Sequence, residues 1–342
     1  MSATIQAGPE AAAWHKQLLV WDCLSLNYLI DPPYVDGALA GGVDVTNLTC
    51  ATEGETWDQL LRTIDASRAK VEAHPDMVLA TTAADVRAAK AAGKLAIILG
   101  TQGSESIGRD IYRVNVLHAL GVRFIGLAYT GATMLGDGCG EPRNAGLSFL
   151  GRDFIDLVNA NRMLLDLSHC GHQTRLEAAE AALYPVCTHS NAYAVNPNDR
   201  NTRDDTARII AAKGGVMGVC GLVRSVWPQD ATIHHMMDHA QHYVSLLGSR
   251  HVGLGLDFTE AYQDAYRGGR SMPQTHKWRQ RRPDIFGTSE EFFTVPYPAG
   301  IETVRQMPNI TQALLDRQYA RADIAEIMGE AWFRCFAAAV GA

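Results

Sequence analysis

The sequence predicts an α/β protein of the (β/α)8, TIM-type barrel class, with an inserted loop segment after strand eight and helices at the C-terminus. Three observations predict it. Short runs rich in Val, Ile and Leu recur eight times, and their hydrophobicity is continuous rather than alternating, as suits strands covered on both faces of a parallel sheet. Amphipathic stretches with helix-start signals separate most of these runs. Gly93, Gly121, Gly214 and Gly248 fall just past four of the amphipathic stretches, where a left-handed residue ends a helix before the next strand.

In chain order the expected strands are 17–22, 43–48, 95–99, 123–128, 163–168, 185–188, 216–220 and 251–257. The expected helices are 56–73, 83–92, 112–120, 148–161, 173–182, 204–213 and 232–247, with a final pair, 303–316 and 322–339, completing the outer ring. A doubly wound sheet shares this alternation, but no Gly-x-Gly-x-x-Gly follows an early strand. Barrels run to about 250 residues or more as one unit, so residues 1–342 are read as a single barrel domain. Residues 261–299 include RGGRSMPQTHKWRQRRPDIFG and are too long for a plain connection, which suggests a lid over the barrel mouth.

Hydrophobic residues make up 47% of the chain and charged residues 20%, enough apolar surface for a large core without disulfide staples. A net charge of −7 without a basic run excludes the electrostatic footprint of nucleic-acid or anionic-membrane binding, leaving a small molecule as the expected partner. No window reaches the roughly 18 apolar residues of a membrane span, and the first residues lack a signal-peptide pattern, so a cytoplasmic location is expected. The seven cysteines are scattered without CxxC spacing and read as buried apolar groups. Cys23, Cys170 and Cys187 lie closest to the residues of interest.

Chemistry in a barrel of this kind sits at the C-terminal strand ends. Strand five runs into Leu165-Asp166-Leu167-Ser168-His169 and strand six into Val186-Cys187-Thr188-His189, which puts two imidazoles at neighbouring strand ends, a pairing suited to zinc or a similar divalent ion. Strand eight delivers Gly255-Leu256-Asp257, a carboxylate able to handle protons, or alternatively a helix cap or ion-pair partner. Arg200, on the loop after strand six, can clamp a substrate carboxylate through two parallel hydrogen bonds, or can instead bind Asp204 or Asp205 at the surface. The stretch His234-His235-Met236-Met237-Asp238-His239-Ala240-Gln241-His242 has ligand-like i,i+4 pairs, but it lies on an outer helix and lacks a His-Glu-x-x-His signature, so a structural role is expected.

With these residues in place the chain resembles the membrane (renal) dipeptidase family, peptidase family M19 of the amidohydrolase-type barrels. The segments that carry the resemblance are GVRFIGLAY, GLSFLGRDFIDLVNANRMLLDLSH, YPVCTHSNAYAVNPNDRNTRDD, HVGLGLDF and IAEIMGEAWFRCF. The resemblance implies a homodimeric barrel that hydrolyses dipeptides with two zinc ions bridged by a carboxylate. It assigns His169 and His189 to one metal, Asp257 to catalysis and Arg200 to the substrate carboxylate. The family's His-x-Asp after the first strand corresponds to Leu24 and Leu26, and Gln102 stands where the bridging glutamate belongs. Tyr129 takes the place of a substrate-facing histidine, so Tyr129, Gln102 and Arg200 are the expected substrate contacts. Three readings follow: a hydrolase with a reduced, single-zinc centre; a metal-free lyase or isomerase acting on a small carboxylate; or a non-catalytic ligand-binding descendant.

Overall fold

The computed structural model describes residues 5–260, 264, 276–294 and 297–341. Nine parallel strands are present: β1 (Trp21–Leu26), β2 (Val45–Thr49), β3 (Met77–Leu79), β4 (Leu95–Thr101), β5 (Val122–Gly126), β6 (Leu164–Asp166), β7 (Pro185–Val186), β8 (Met217–Val219) and β9 (Val252–Leu254). Their order is β7-β6-β5-β4-β2-β1-β9-β8, and a parallel bridge between Cys187 and Met217 joins the two ends into a barrel of eight. All eight expected strands occur. The ninth, β3, was not expected. It pairs with the first half of β4, from Met77 against Leu95 to Leu79 against Ile97, and three apolar residues behind a long helix leave too short a periodic signal to read.

Helix starts follow their caps. Thr56 and Gln59 form a reciprocal capping box at the head of Trp57–Ala73, as do Thr82 and Asp85 for Ala83–Ala91, and the Ser148 hydroxyl caps Phe149–Ala160. Gly93, Gly121, Gly214 and Gly248 all have φ between +68° and +96°, the left-handed ending their positions demand.

The last helix corrects one expectation. Residues 322–339 do not form one outer-ring helix: Arg321–Ala325 leads through a wide turn, Glu326–Glu330, into Ala331–Val340. The ring of Phe336 lies 5.7 Å from Trp21 at the start of β1 and 6.2 Å from Phe124 of β5. These strands stand three places apart round the sheet, so one ring can reach both only from inside, and this helix closes the N-terminal end of the barrel. The sequence AWFRCFAAAV is apolar almost all round, which suits a plug better than a surface helix. The close approach needs Gly329, where a Cβ would lie 2.3 Å from the Leu19 carbonyl oxygen.

Residues 261–299 lie partly outside the described residues. The described part contributes three short helices, His276–Arg281, Pro283–Phe286 and Ser289–Thr294, at the opposite, C-terminal end. Among the described residues no helix is long and apolar enough to cross a membrane.

Candidate active site

The strands end early, and the functional residues occupy the loops just beyond them. Tyr129, His169, His189 and Asp257 each lie three residues past the end of their strand, and Gln102 lies one past β4. Gly255 permits the crowding, since a Cβ there would fall 1.7 Å from the Thr188 carbonyl oxygen. A cavity of about 640 Å³ opens above these ends, lined by Tyr129, His169, Arg200 and Asp257. The residues of the segment after β9 form part of its wall, with Trp278, Arg279, Phe286 and Phe292 facing in.

His189 is held by a chain of hydrogen bonds that fixes its tautomer. The Thr188 hydroxyl donates to Asp166 Oδ2 at 2.5 Å and lies 2.6 Å from His189 Nδ1. With its one proton given to Asp166, Thr188 accepts from His189, so Nδ1 carries the imidazole proton and Nε2 presents a lone pair. Ser168 supports the same carboxylate, donating to Asp166 Oδ1 at 2.5 Å and accepting from the His189 backbone N–H. His169 Nε2 lies 3.0 Å from His189 Nε2 and 2.9 Å from Gln102 Oε1. It donates there, and its Nδ1 is buried without a partner among the described residues. Burial, reinforced by the Arg200 guanidinium, holds both histidines well below their usual pKa, so both are neutral.

Gln102 and His189 sit behind His169 rather than on the cavity wall. The Gln102 amide donates to Thr49 Oγ1 at 3.0 Å, which leaves its oxygen facing His169. Tyr129 stacks on His169 with ring centroids 3.9 Å apart, and burial beside Asp257 pushes its phenol far above the usual range, so it is a neutral donor. Arg200 does not bind Asp204 or Asp205. Its Nη1 donates to the Ser168 carbonyl, and its Nη2 is buried with no partner among the described residues. Asp257 has φ +57°, in the left-handed region, with its carbonyl accepting from the Tyr297 hydroxyl. Its carboxylate makes no hydrogen bond or ion pair among the described residues, and burial pushes it up to about 7 despite the nearby Arg200.

Leu26 lines the cavity and Leu24 is fully buried. Among the described residues no group of three or more His, Cys, Asp or Glu side chains converges as a metal site. The donor set still suits one ion: two neutral Nε2 atoms 3.0 Å apart are close to the roughly 3.3 Å edge of a tetrahedral zinc site with N ligands at about 2.0–2.1 Å. It does not suit two, because Leu24, Leu26 and Gln102 supply no charge or imidazole for a second.

These positions match a known pattern. The sequence profile of the membrane dipeptidases, peptidase family M19, matches residues 35–268. The chain belongs to that family. Similar proteins include the dipeptidase tcpJ of Claviceps purpurea (28% identical over 78% of this chain and 56% of that protein) and the dipeptidase aclJ of Aspergillus oryzae (29%, over 78% and 57%). The chain thus spans a little over half the length of these relatives. An amidohydrolase structure from Pseudomonas aeruginosa superposes with TM-score 0.82 at 26% identity, over 97% of this chain and 99% of that one. A Rhodobacter sphaeroides metallo peptidase bound to a phosphinate mimic of L-Ala-D-Ala shares the fold, with TM-score 0.74 at 21% identity over 94% of this chain and 99% of that one.

Sequence reasoning missed the support. Asp166 and Thr188 lie in the same LDLSH and VCTH motifs that flagged the histidines, and strand alternation from His189 could have singled them out. It also missed Arg279, which stands in a segment without periodicity. The histidine-rich helix, Ile233–Leu247, proves structural: His239 accepts from the Ala192 N–H and donates to the Val226 carbonyl, while His235 completes a capping box with Thr232. Burial pushes the thiols of Cys170 and Cys187 up to about 12 and 11, so both are neutral thiols at neutral pH.

Proposed function

We propose that this M19 family member hydrolyses the amide bond of a small, dipeptide-like substrate bearing a free carboxylate, with one zinc ion held by His169 and His189. One observation supports this above others: His169, backed by the His189 lone pair, lines one cavity with Arg200, whose Nη2 has no partner among the described residues, and with the Asp257 carboxylate. A divalent ion at the histidine pair supplies Lewis acidity for the scissile carbonyl. Arg200 binds the substrate carboxylate, charge against charge, in a buried site. Asp257, poised near neutrality, accepts a proton from the attacking water and returns it to the leaving nitrogen as the C–N bond breaks. Tyr129 donates its hydroxyl proton as a hydrogen bond to the carbonyl oxygen as charge develops there. Tyr129, Arg200 and Asp257 touch substrate, while Gln102 fixes His169 from behind. We extend the proposal to a cytoplasmic homodimer with the segment after β9 serving as a lid.

A second reading, metal-free chemistry on a small carboxylate, draws support from His169 Nδ1. A metal on Nε2 would move the proton to Nδ1, where no acceptor waits. Elemental analysis of protein purified without a His-tag, beside a His169→Ala/His189→Ala variant, separates the two. About one equivalent of metal, absent from the double variant and accompanied by dipeptide turnover, supports the hydrolase. No metal after zinc dialysis rules that reading out in favour of the metal-free one.

A further inference from the structure

Arg200 is not the sole cationic group facing the cavity with hydrogen-bonding capacity to spare. Arg279, on the short helix His276–Arg281, lines the same space. Its Nη1 donates to the Phe286 carbonyl and its guanidinium lies 3.8 Å over the Phe292 ring. Those contacts fix the plane and use one corner of the fork. Its Nε is buried without a partner, and Arg279 forms no ion pair among the described residues. The edge carrying Nε and Nη2 is therefore unused, and that edge matches a carboxylate by two parallel hydrogen bonds. The other arginine on the wall, Arg224, is already satisfied by Glu291 at 2.9 Å. The acidic residues of the lining form no ion pair with Arg279 among the described residues: Glu291 is held by Arg224 and the Thr288 N–H, Asp230 and Glu302 are exposed at the rim, and Asp257 acts on Arg279 only at longer range.

A buried guanidinium N–H without an acceptor, such as Arg279 Nε, costs free energy. A ligand acceptor recovers that cost. Phe292 packs on the guanidinium, and Phe286 and Trp278 line the same cavity, apolar surface that strengthens a charge pair made there.

We infer that the cavity is built for a substrate with two anionic groups, one carboxylate on Arg200 and a second, side-chain carboxylate on the Nε edge of Arg279. The inference rests on the reading that Arg200 holds the first carboxylate. It narrows the substrate class to amides of acidic amino acids, and it makes Arg279 the residue that sets specificity. Arg200, Arg279 and Asp257 line the same cavity, so a substrate held by both guanidiniums shares that cavity with the group that handles the proton.

The test is a binding measurement that needs no turnover. N-acetylglutamate and N-acetylglutamine have the same shape and differ by one charge. Their dissociation constants, for both enantiomers, are measured by calorimetry with the unmodified protein, Arg279→Met, Arg279→Lys and Arg200→Met. The expected result is at least tenfold tighter binding of N-acetylglutamate by the unmodified protein, equivalent to about 1.4 kcal/mol. Arg279→Met erases that difference while still binding N-acetylglutamine, Arg279→Lys keeps part of it, and Arg200→Met weakens both ligands. Equal affinity for the two ligands, no measurable binding of either, or an equal loss of both in Arg279→Met overturns the inference, the last marking Arg279 as a structural tie alone. Hydrolysis of acidic dipeptides is assayed in parallel with zinc. Charge discrimination without turnover retains the second anion site and removes the hydrolase reading; turnover without discrimination does the reverse.

Discussion

The barrel mouth has two unlike halves. On the side of β6 and β7, polar groups support one another in depth: Asp166 takes hydrogen bonds from Ser168 and Thr188, and Thr188 orients His189. On the side of β1 and β4, Leu26 faces the cavity, Leu24 is buried, and Gln102 is a neutral amide turned toward His169. The difference teaches that His189 draws its support from its own two strands, whereas His169 is held from β4 and β5 by Gln102 and Tyr129. Losing charge on the far side leaves the His189 hydrogen-bond chain closed.

If Leu24, Leu26 and Gln102 are what keep a second ion out, restoring them should produce the largest change. The variant Leu24→His/Leu26→Asp/Gln102→Glu is expected to bind two equivalents of zinc against one for the parent, measured by elemental analysis after dialysis. A stoichiometry of one in a folded triple variant would show that backbone placement, not side-chain type, separates the halves.

The leucine half still contains one buried carboxylate. Asp22 on β1 accepts from the Leu256 N–H at 2.7 Å, yet burial pushes it up to about 7 from an ordinary 3.8. Folding therefore takes up a proton between those values. The stability this gives is fully present below about pH 4 and is lost as pH rises through about 7. Asp22→Asn keeps the shape and the acceptor but cannot ionise. Relative to the parent, it should gain on the order of a few kcal/mol at pH 8.5 compared with pH 5, read from urea unfolding. An identical difference at both pH values would show that Asp22 titrates normally in the folded chain.

On the histidine side the expected change is smaller. Thr188→Val removes the acceptor for His189 Nδ1 and should weaken zinc binding about 10–100-fold, the usual range for losing a group that orients a metal histidine. Thr188→Ser should restore it. Competition with a chromophoric chelator measures both, and equal affinities in Val and Ser variants would place the tautomer under other control.

The sequence made the barrel legible because the strands are apolar throughout and the helix ends carry glycine. It made the mouth legible because His169, His189 and Asp257 sit at corresponding strand ends and Arg200 lies on the loop that follows one of them. Three things stayed hidden for physical reasons. Three-residue β3 covers little more than one two-residue period of a strand, too little to read as a pattern. The plug Ala331–Val340 is apolar apart from Arg334, and that composition alone does not say which surface it covers. Arg279 lies in a segment whose position depends on tertiary contacts with Phe286 and Phe292 rather than on local periodicity.

Tyr129 stands between the two halves, since β5 runs between β4 and β6, and the smallest expected effect falls there. Its ring packs on His169 while its hydroxyl is a neutral donor. Tyr129→Phe keeps the ring and removes one neutral hydrogen bond, worth about 0.5–1.5 kcal/mol, so kcat should fall by roughly tenfold or less with KM and zinc content unchanged. Tyr129→Ala also takes away the stacking surface and should loosen His169, lowering zinc content with activity. A Phe variant that loses metal would assign Tyr129 to the histidine half as a structural partner. One that loses kcat alone places its hydroxyl at the reacting carbonyl.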